Sequence, residues 1–233
     1  MAQIRMGGFQ SVPMVIKNLI IANVLMYIAE LTFKEPFINA LALHFYQSPD
    51  FGIWQVLTHM FLHAQPPMFF HIIFNMLALY MFGSPLENLW GPKRFLFFYL
   101  ICGLGAGLIQ MLANGVEMHF LMQSLSHGSI TQQQFQEKGS GIYNGVALGA
   151  SGAIMGVFAA FAYLFPNTSL FILPIPFPIK TKYAIIGLIL VDIFGGINPE
   201  YGGNVAHFAH LGGVLFGFVL VKTMNKTNRR NFY

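Results

Sequence analysis

Residues 147–165 read ALGASGAIMGVFAAFAYLF, with no Asp, Glu, Lys or Arg among them. A run of this length and character approaches the roughly 20 apolar residues that cross a bilayer. Residues 205–222, VAHFAHLGGVLFGFVLVK, carry no such charge until Lys222. Both segments space glycines four apart, as Gly152 and Gly156 in the first and Gly213 and Gly217 in the second. Small residues at that interval let membrane helices approach backbone to backbone. The rest of the chain agrees: of 233 residues 55% are hydrophobic and 9% charged, where a soluble domain carries about 25% charged residues. Too little polar surface is available to cover a soluble globule, so the lipid bilayer is the expected surroundings.

Working outward, six apolar spans are predicted at roughly 18–33, 69–86, 95–112, 147–165, 183–198 and 205–222. This is an all-α polytopic membrane protein with residues 1–233 forming one membrane domain. The first span is the weakest, since Glu30 interrupts it. It is read as a retained helix, because no small-residue cleavage site follows it. Lys and Arg concentrate in cytoplasmic loops. With six spans, Arg5, Lys17, Lys93, Arg94, Lys180, Lys182, Lys222, Lys226, Arg229 and Arg230 share one side, against Lys34 and Lys138 on the other. Both termini are therefore expected in the cytoplasm. The net charge of +4 is no nucleic-acid signal, since the basic residues sit at span ends and not in one patch. The single cysteine, Cys102, excludes an internal disulfide and a Cys-based zinc site.

Two long outer loops differ in character. Residues 34–68, with Trp54, His44, His59 and His63, read as a membrane-embedded loop, whereas 113–146, with Gln132, Gln133 and Gln134 in series, reads as a solvated one. The run Leu173-Pro174-Ile175-Pro176-Phe177-Pro178 ends the fourth span in a turn.

Polar groups inside spans are costly and are functional candidates by default. His71 and Asn75 lie in the second span, Ser151 in the fourth, and His207 and His210 in the sixth. These three spans all enter from the outer face, and each set lies within about 10 Å of that end at 1.5 Å per residue. A serine hydroxyl becomes a nucleophile when a histidine takes its proton, and the carbonyl oxygen it charges needs fixed donors. His71 and Asn75, spaced i, i+4, share a helix face and can both point at that oxygen. Ser151 near a helix N-terminus adds free backbone N–H groups. The glycine register selects His210 over His207 as the base, since Gly213 and Gly217 fall one and two turns below it.

The pattern His71-x-x-x-Asn75, Gly149-Ala150-Ser151-Gly152 and Ala209-His210-x-x-Gly213 on six spans resembles the rhomboid intramembrane serine proteases across essentially the whole chain. The resemblance implies a Ser151–His210 dyad with no acidic third member. It implies an oxyanion hole from His71, Asn75, Gly149 and the Ser151 backbone, and cleavage of transmembrane protein substrates near the outer face. It also implies a gate formed by the fifth span and the glycine-rich stretch around 195–204. No cofactor or metal is implied, and oligomeric state is left open. A prokaryotic inner membrane is the expected location. Three departures stand out: Trp54 is followed by Gln55 and not Arg, Pro66 and Pro67 lengthen the stretch before His71, and Met155 stands where an aromatic often stacks on the histidine. His207, Met155 and Trp54 are candidates for the substrate cavity or gate.

Blander and rival readings accompany these. A serine in an apolar helix is most often a packing residue, and Asn75 alone reads as interhelical glue. His59 with His63, or His207 with His210, has metal-ligand spacing, but no HExxH or accompanying carboxylate is present. Asp192 is read as an interfacial carboxylate or helix-terminal partner ahead of a third catalytic group. Glu87 is read as anchoring its turn and Cys102 as a small core residue. A transporter is the rival class, but the polar groups cluster at one face and no internal symmetry is visible. A catalytically dead relative is a third, and the retained Ser151 and His210 speak against it.

Overall fold

A computed structural model of the chain describes residues 12–65, 69–171, 176–198 and 205–228. Helix α1 (Met14–Leu41) starts after Pro13 and breaks at Lys34, whose φ is 53°. The predicted span end at 33 falls on this break; the chain then resumes helix around Pro36, tolerated in a first turn where its missing N–H has no partner to lose. The Glu87 carboxylate accepts the Val15 and Ile16 backbone N–H groups at 2.9 Å each. A negative group thus caps the positive end of the α1 dipole.

The first loop adds β1 (Leu43–His44), the short α2 (Gln55–Thr58) and a 3₁₀ turn (His59–Phe61). The second span is one continuous run of α3 (Phe70–Ala78), a π-helical turn (Leu79–Gly83) and α4 (Ser84–Trp90). Pro85 offers no N–H to the preceding turn and its ring would meet a carbonyl there, so the turn before it widens.

The predicted third span, 95–112, is corrected: α5 (Pro92–Ser126) holds 35 residues, and α6 (Gln132–Asn144) follows it. Most of 113–146 is therefore helical. The polar residues Asn114 and Glu117 occupy part of the α5 surface, while Leu112, Val116 and Phe120 continue an exposed apolar stripe. Thr131 and Gln134 form a reciprocal capping box that starts α6.

The fourth span is also redrawn. Residues Val146–Ala147 form β2, antiparallel to β1 with Leu43 opposite Ala147, and α7 (Ser151–Leu164) begins only at Ser151. It ends before a small hairpin of β3 (Ser169–Leu170) and β4 (Ile179–Lys180); part of the expected proline turn, 172–175, lies outside the described residues. Two helices complete the chain, α8 (Thr181–Ile197) and α9 (His207–Asn228). Among the described residues three helices, α1, α5 and α9, are long and apolar enough to cross a membrane.

Helix α7 is the centre. Every residue from Gly152 to Ala162 is buried, with Ile154, Val157 and Phe161 joining Leu79, Phe95 and Phe98 in the main apolar cluster. The two glycine ridges meet as their spacing predicts. A Cβ on Gly213 would collide with the Gly152 carbonyl, and one on Gly217 would lie 2.5 Å from the Gly156 carbonyl oxygen. The α5 glycines leave room for the first loop: Gly103 faces Met60, with Ala153 of α7 beside it, and Gly107 faces the His59 ring.

Candidate active site

Ser151 is the first residue of α7, and Ala150 its cap. The N–H groups of a first turn have no partner within the helix. The chain reaches Ser151 through Gly149, whose φ of +131° suits glycine alone and whose N–H donates to the His59 carbonyl at 2.9 Å. A side chain there would also lie 3.3 Å from His71 Cε1 and 3.4 Å from Ser151 Oγ. One bond thus ties the serine turn to the first loop, and one missing Cβ lets the His71 ring stand beside it.

His210, in the first turn of α9, places Nε2 at 2.8 Å from Ser151 Oγ. Its Nδ1 lies 3.0 Å from Asp192 Oδ1, and His207 Nδ1 lies 2.8 Å from the same oxygen. An ionised carboxylate only accepts, so both Nδ1 atoms carry protons. In a neutral His210, Nε2 then keeps its lone pair and accepts the serine O–H. Gln110 of α5 accepts the Ala209 backbone N–H at 3.1 Å, fixing the start of α9 beside the pair. Asp192, read from the sequence as an interfacial or helix-terminal group, is buried on α8 and reaches two histidines in the first turn of α9. Its 18-residue separation from His210 hides that meeting from any local motif.

His71 Nδ1 accepts the Ala64 N–H at 3.2 Å. That bond puts the proton of a neutral ring on Nε2, the edge facing Gly149. One turn on, Asn75 is buried, and its Nδ2 has no partner among the described residues. A buried amide donor left unpaired is costly, and an arriving oxyanion would satisfy it. A cavity of about 10 Å³ beside Ser151, lined by His59, Leu148, Gly149 and Ala206 among others, is of the size one water needs.

Other predicted residues fall elsewhere. Met155 packs with Phe158, Ala184 and Ile185 where α7 meets α8. Trp54 is exposed, donates from Nε1 to the Ala40 carbonyl at 2.7 Å, and does not line the cavity beside Ser151. His59 Nδ1 is paired with the Gln55 carbonyl, and His63 is fully buried. A carboxylate does accompany His207 and His210, contrary to the sequence reading, but both rings address one oxygen of Asp192, and no group of three such side chains is arranged to hold a metal ion among the described residues. The expected gate lies partly outside them, from 199 to 204, as do Pro66 and Pro67. Sequence reasoning missed Glu30. It is fully buried and its two carboxylate oxygens each accept the His63 N–H at 3.1 Å, fastening the first loop to α1. An acid inside an apolar run was the signal.

A serine hydroxyl set against an imidazole, on helices as apolar as these, is an arrangement that serine hydrolases use. The Rhomboid domain model matches residues 50–227, and the chain belongs to the rhomboid family. It is 27% identical over 213 residues to the rhomboid protease AarA of Providencia stuartii, covering 87% of this chain and 69% of that protein. To the rhomboid protease GlpG of Haemophilus influenzae it is 23% identical over 201 residues, 84% and 83% of the two chains. It is also 28% identical over 166 residues to the mitochondrial rhomboid protein 1 of Saccharomyces cerevisiae, covering 70% of this chain but 41% of that one.

Proposed function

We propose that the protein cleaves transmembrane protein substrates near the outer membrane face, with Ser151 as nucleophile and His210 as base. The observation that carries this reading is the 2.8 Å contact between Ser151 Oγ and His210 Nε2. His210 takes the hydroxyl proton as Oγ attacks a peptide carbonyl in an unwound substrate segment. The carbonyl oxygen takes the negative charge and is met by the Ser151 N–H, His71 Nε2–H and Asn75 Nδ2, with Gly149 leaving room for it. His210 then gives its proton to the departing amine, and water from the outer side hydrolyses the acyl-enzyme.

The depth of the site follows from helix length. Fourteen residues of α7 give about 21 Å, short of a hydrocarbon core of about 30 Å. A helix that starts at Ser151 and reaches the far surface therefore starts below the near one. In the proposed topology α1, α3–α4, α5, α7, α8 and α9 make six crossings with both termini cytoplasmic, as the ten-to-two split of basic residues favours. A prokaryotic inner membrane is the proposed location.

Ser151→Ala tests the mechanism. In proteoliposomes carrying a transmembrane peptide substrate it should abolish cleavage and labelling by a serine-directed probe, with an unchanged thermal midpoint. Residual turnover in that variant would sink the assignment.

A further inference from the structure

Helix α8 exposes Leu190, Val191, Ile193, Phe194 and Ile197 on its outer flank, and turns one carboxylate inward. Asp192 has about 5% of its surface accessible and sits where the site already has its nucleophile and base. A carboxylate in such surroundings is costly unless hydrogen bonds meet its charge. Here Oδ1 receives two, from His210 at 3.0 Å and from His207 at 2.8 Å. The three atoms of the proposed reaction line up through one ring: Asp192 Oδ1 on Nδ1 of His210, and Ser151 Oγ on its Nε2.

We propose that Asp192 is a positioning residue for His210, so that this chain works with a Ser151–His210–Asp192 relay and not a dyad. The proposal rests on the reading of Ser151 and His210 above. In the acylation step the Oγ–H bond breaks and an Nε2–H bond forms, while Oγ bonds to the substrate carbon and the carbonyl π pair moves onto oxygen. The imidazolium so formed keeps its Nδ1–H on Asp192, which stays ionised and stabilises the new positive charge. Asp192 also holds the ring in the one tautomer with a lone pair toward Ser151. His207 shares the oxygen and sits against Gly195, where any Cβ would collide with its ring. It fixes where α8 can stand, while the base is the group whose protonation the carboxylate controls.

The bland alternative is that Asp192 only pins α8 to α9 through His207. Steady-state cleavage of a transmembrane peptide by the full-length protein in proteoliposomes separates the two. Asp192→Asn keeps the volume and removes the charge. It should lower kcat about 10²-fold with little change in KM or thermal midpoint. That is less than the about 10⁴-fold seen when a triad carboxylate serving one histidine is neutralised, since this one is shared. Asp192→Glu should recover part of the loss. The deciding arm is the background: in His207→Ala, which should itself retain measurable turnover, Asp192→Asn should cost at least as much as in the wild type, since the carboxylate then serves His210 alone. A deshielded Nδ1 proton assigned to His210 by nitrogen-labelled histidine spectra should vanish with Asp192→Asn. Full kcat in Asp192→Asn, or no further loss on adding it to His207→Ala, would overturn the proposal while leaving Ser151 and His210 in place. Turnover that survives Ser151→Ala would instead remove the reading beneath it.

Discussion

A methyl group placed two turns below the base should stop the enzyme without touching it. In Gly217→Ala the new Cβ would stand 2.5 Å from the Gly156 carbonyl oxygen and 2.6 Å from its Cα, against an ordinary contact near 3.4 Å. The atoms it meets are backbone, so no side chain can swing aside. Helices α7 and α9 must part by about 0.9 Å, as overpacking of a tight interface demands. Carried to the head of the pair, that displacement takes Ser151 Oγ and His210 Nε2 from 2.8 Å to about 3.7 Å, outside hydrogen-bond range. Misplacement of reacting groups by about 1 Å costs on the order of 10²-fold in rate. The expected result is a kcat loss of about 10²-fold and a stability loss of about 1–3 kcal/mol, read as peptide cleavage and thermal midpoint in the same preparation. Gly187→Ala is the control, since nothing lies within 4 Å of its Cβ; it should retain full turnover. Wild-type kcat in Gly217→Ala would refute the claim that the glycine ridge sets the serine–histidine distance.

Three further expectations follow from the site and its supports. Asn75→Ala should lower turnover by about 10²–10³-fold, softened by His71 and the Ser151 N–H, and should still be acylated by a reactive inhibitor; an effect on KM alone would make Asn75 a binding residue. Burial, with repulsion from His71 beside it, pushes the His63 pKa from 6.5 down to about 4. Between those values the unfolded chain binds a proton the folded one refuses, so stability should fall as pH drops from 6.5 to 4, by up to about 3 kcal/mol. His63→Asn should flatten that part of the pH dependence of the thermal midpoint, and an unchanged slope would remove the assignment. Glu87→Gln should uncap α1 and lower the midpoint by about 1–3 kcal/mol equivalent, with turnover per folded molecule intact; a selective loss of kcat would give Glu87 a role beyond the cap.

What the sequence made legible was periodic or local. The α7 and α9 segments announce themselves because lipid tolerates no charge along them, and their ridges because only glycine leaves room for backbone contact. Ser151 meets His210, and the His71 ring stands beside Gly149, at depths that could be counted along their helices. Helix α5 ran past its expected end for the opposite reason. Averaged hydropathy falls at Asn114 and Glu117 even though Leu112, Val116 and Phe120 carry the apolar stripe onward. The start of α6 was legible as a Thr131-x-x-Gln134 cap, a local signal masked by three glutamines in a row. Glu30 and Asp192 were not legible in the same way. A lone acid in an apolar run says that a partner exists, but the partner's identity depends on tertiary distance.

The mutual locking of α7 and α9 contrasts with the way α8 is held, by Ala184 and Ile185 near one end and by Asp192 and Gly195 near the other. Warming should act on these two attachments in order. The welded pair yields only with the fold itself, whereas a helix fastened by a narrow seam can swing free while everything else stays put. A calorimeter and a cleavage assay run on one preparation should therefore record two temperatures, with function failing first. On cooling, function should return without refolding, as a thermal fuse resets.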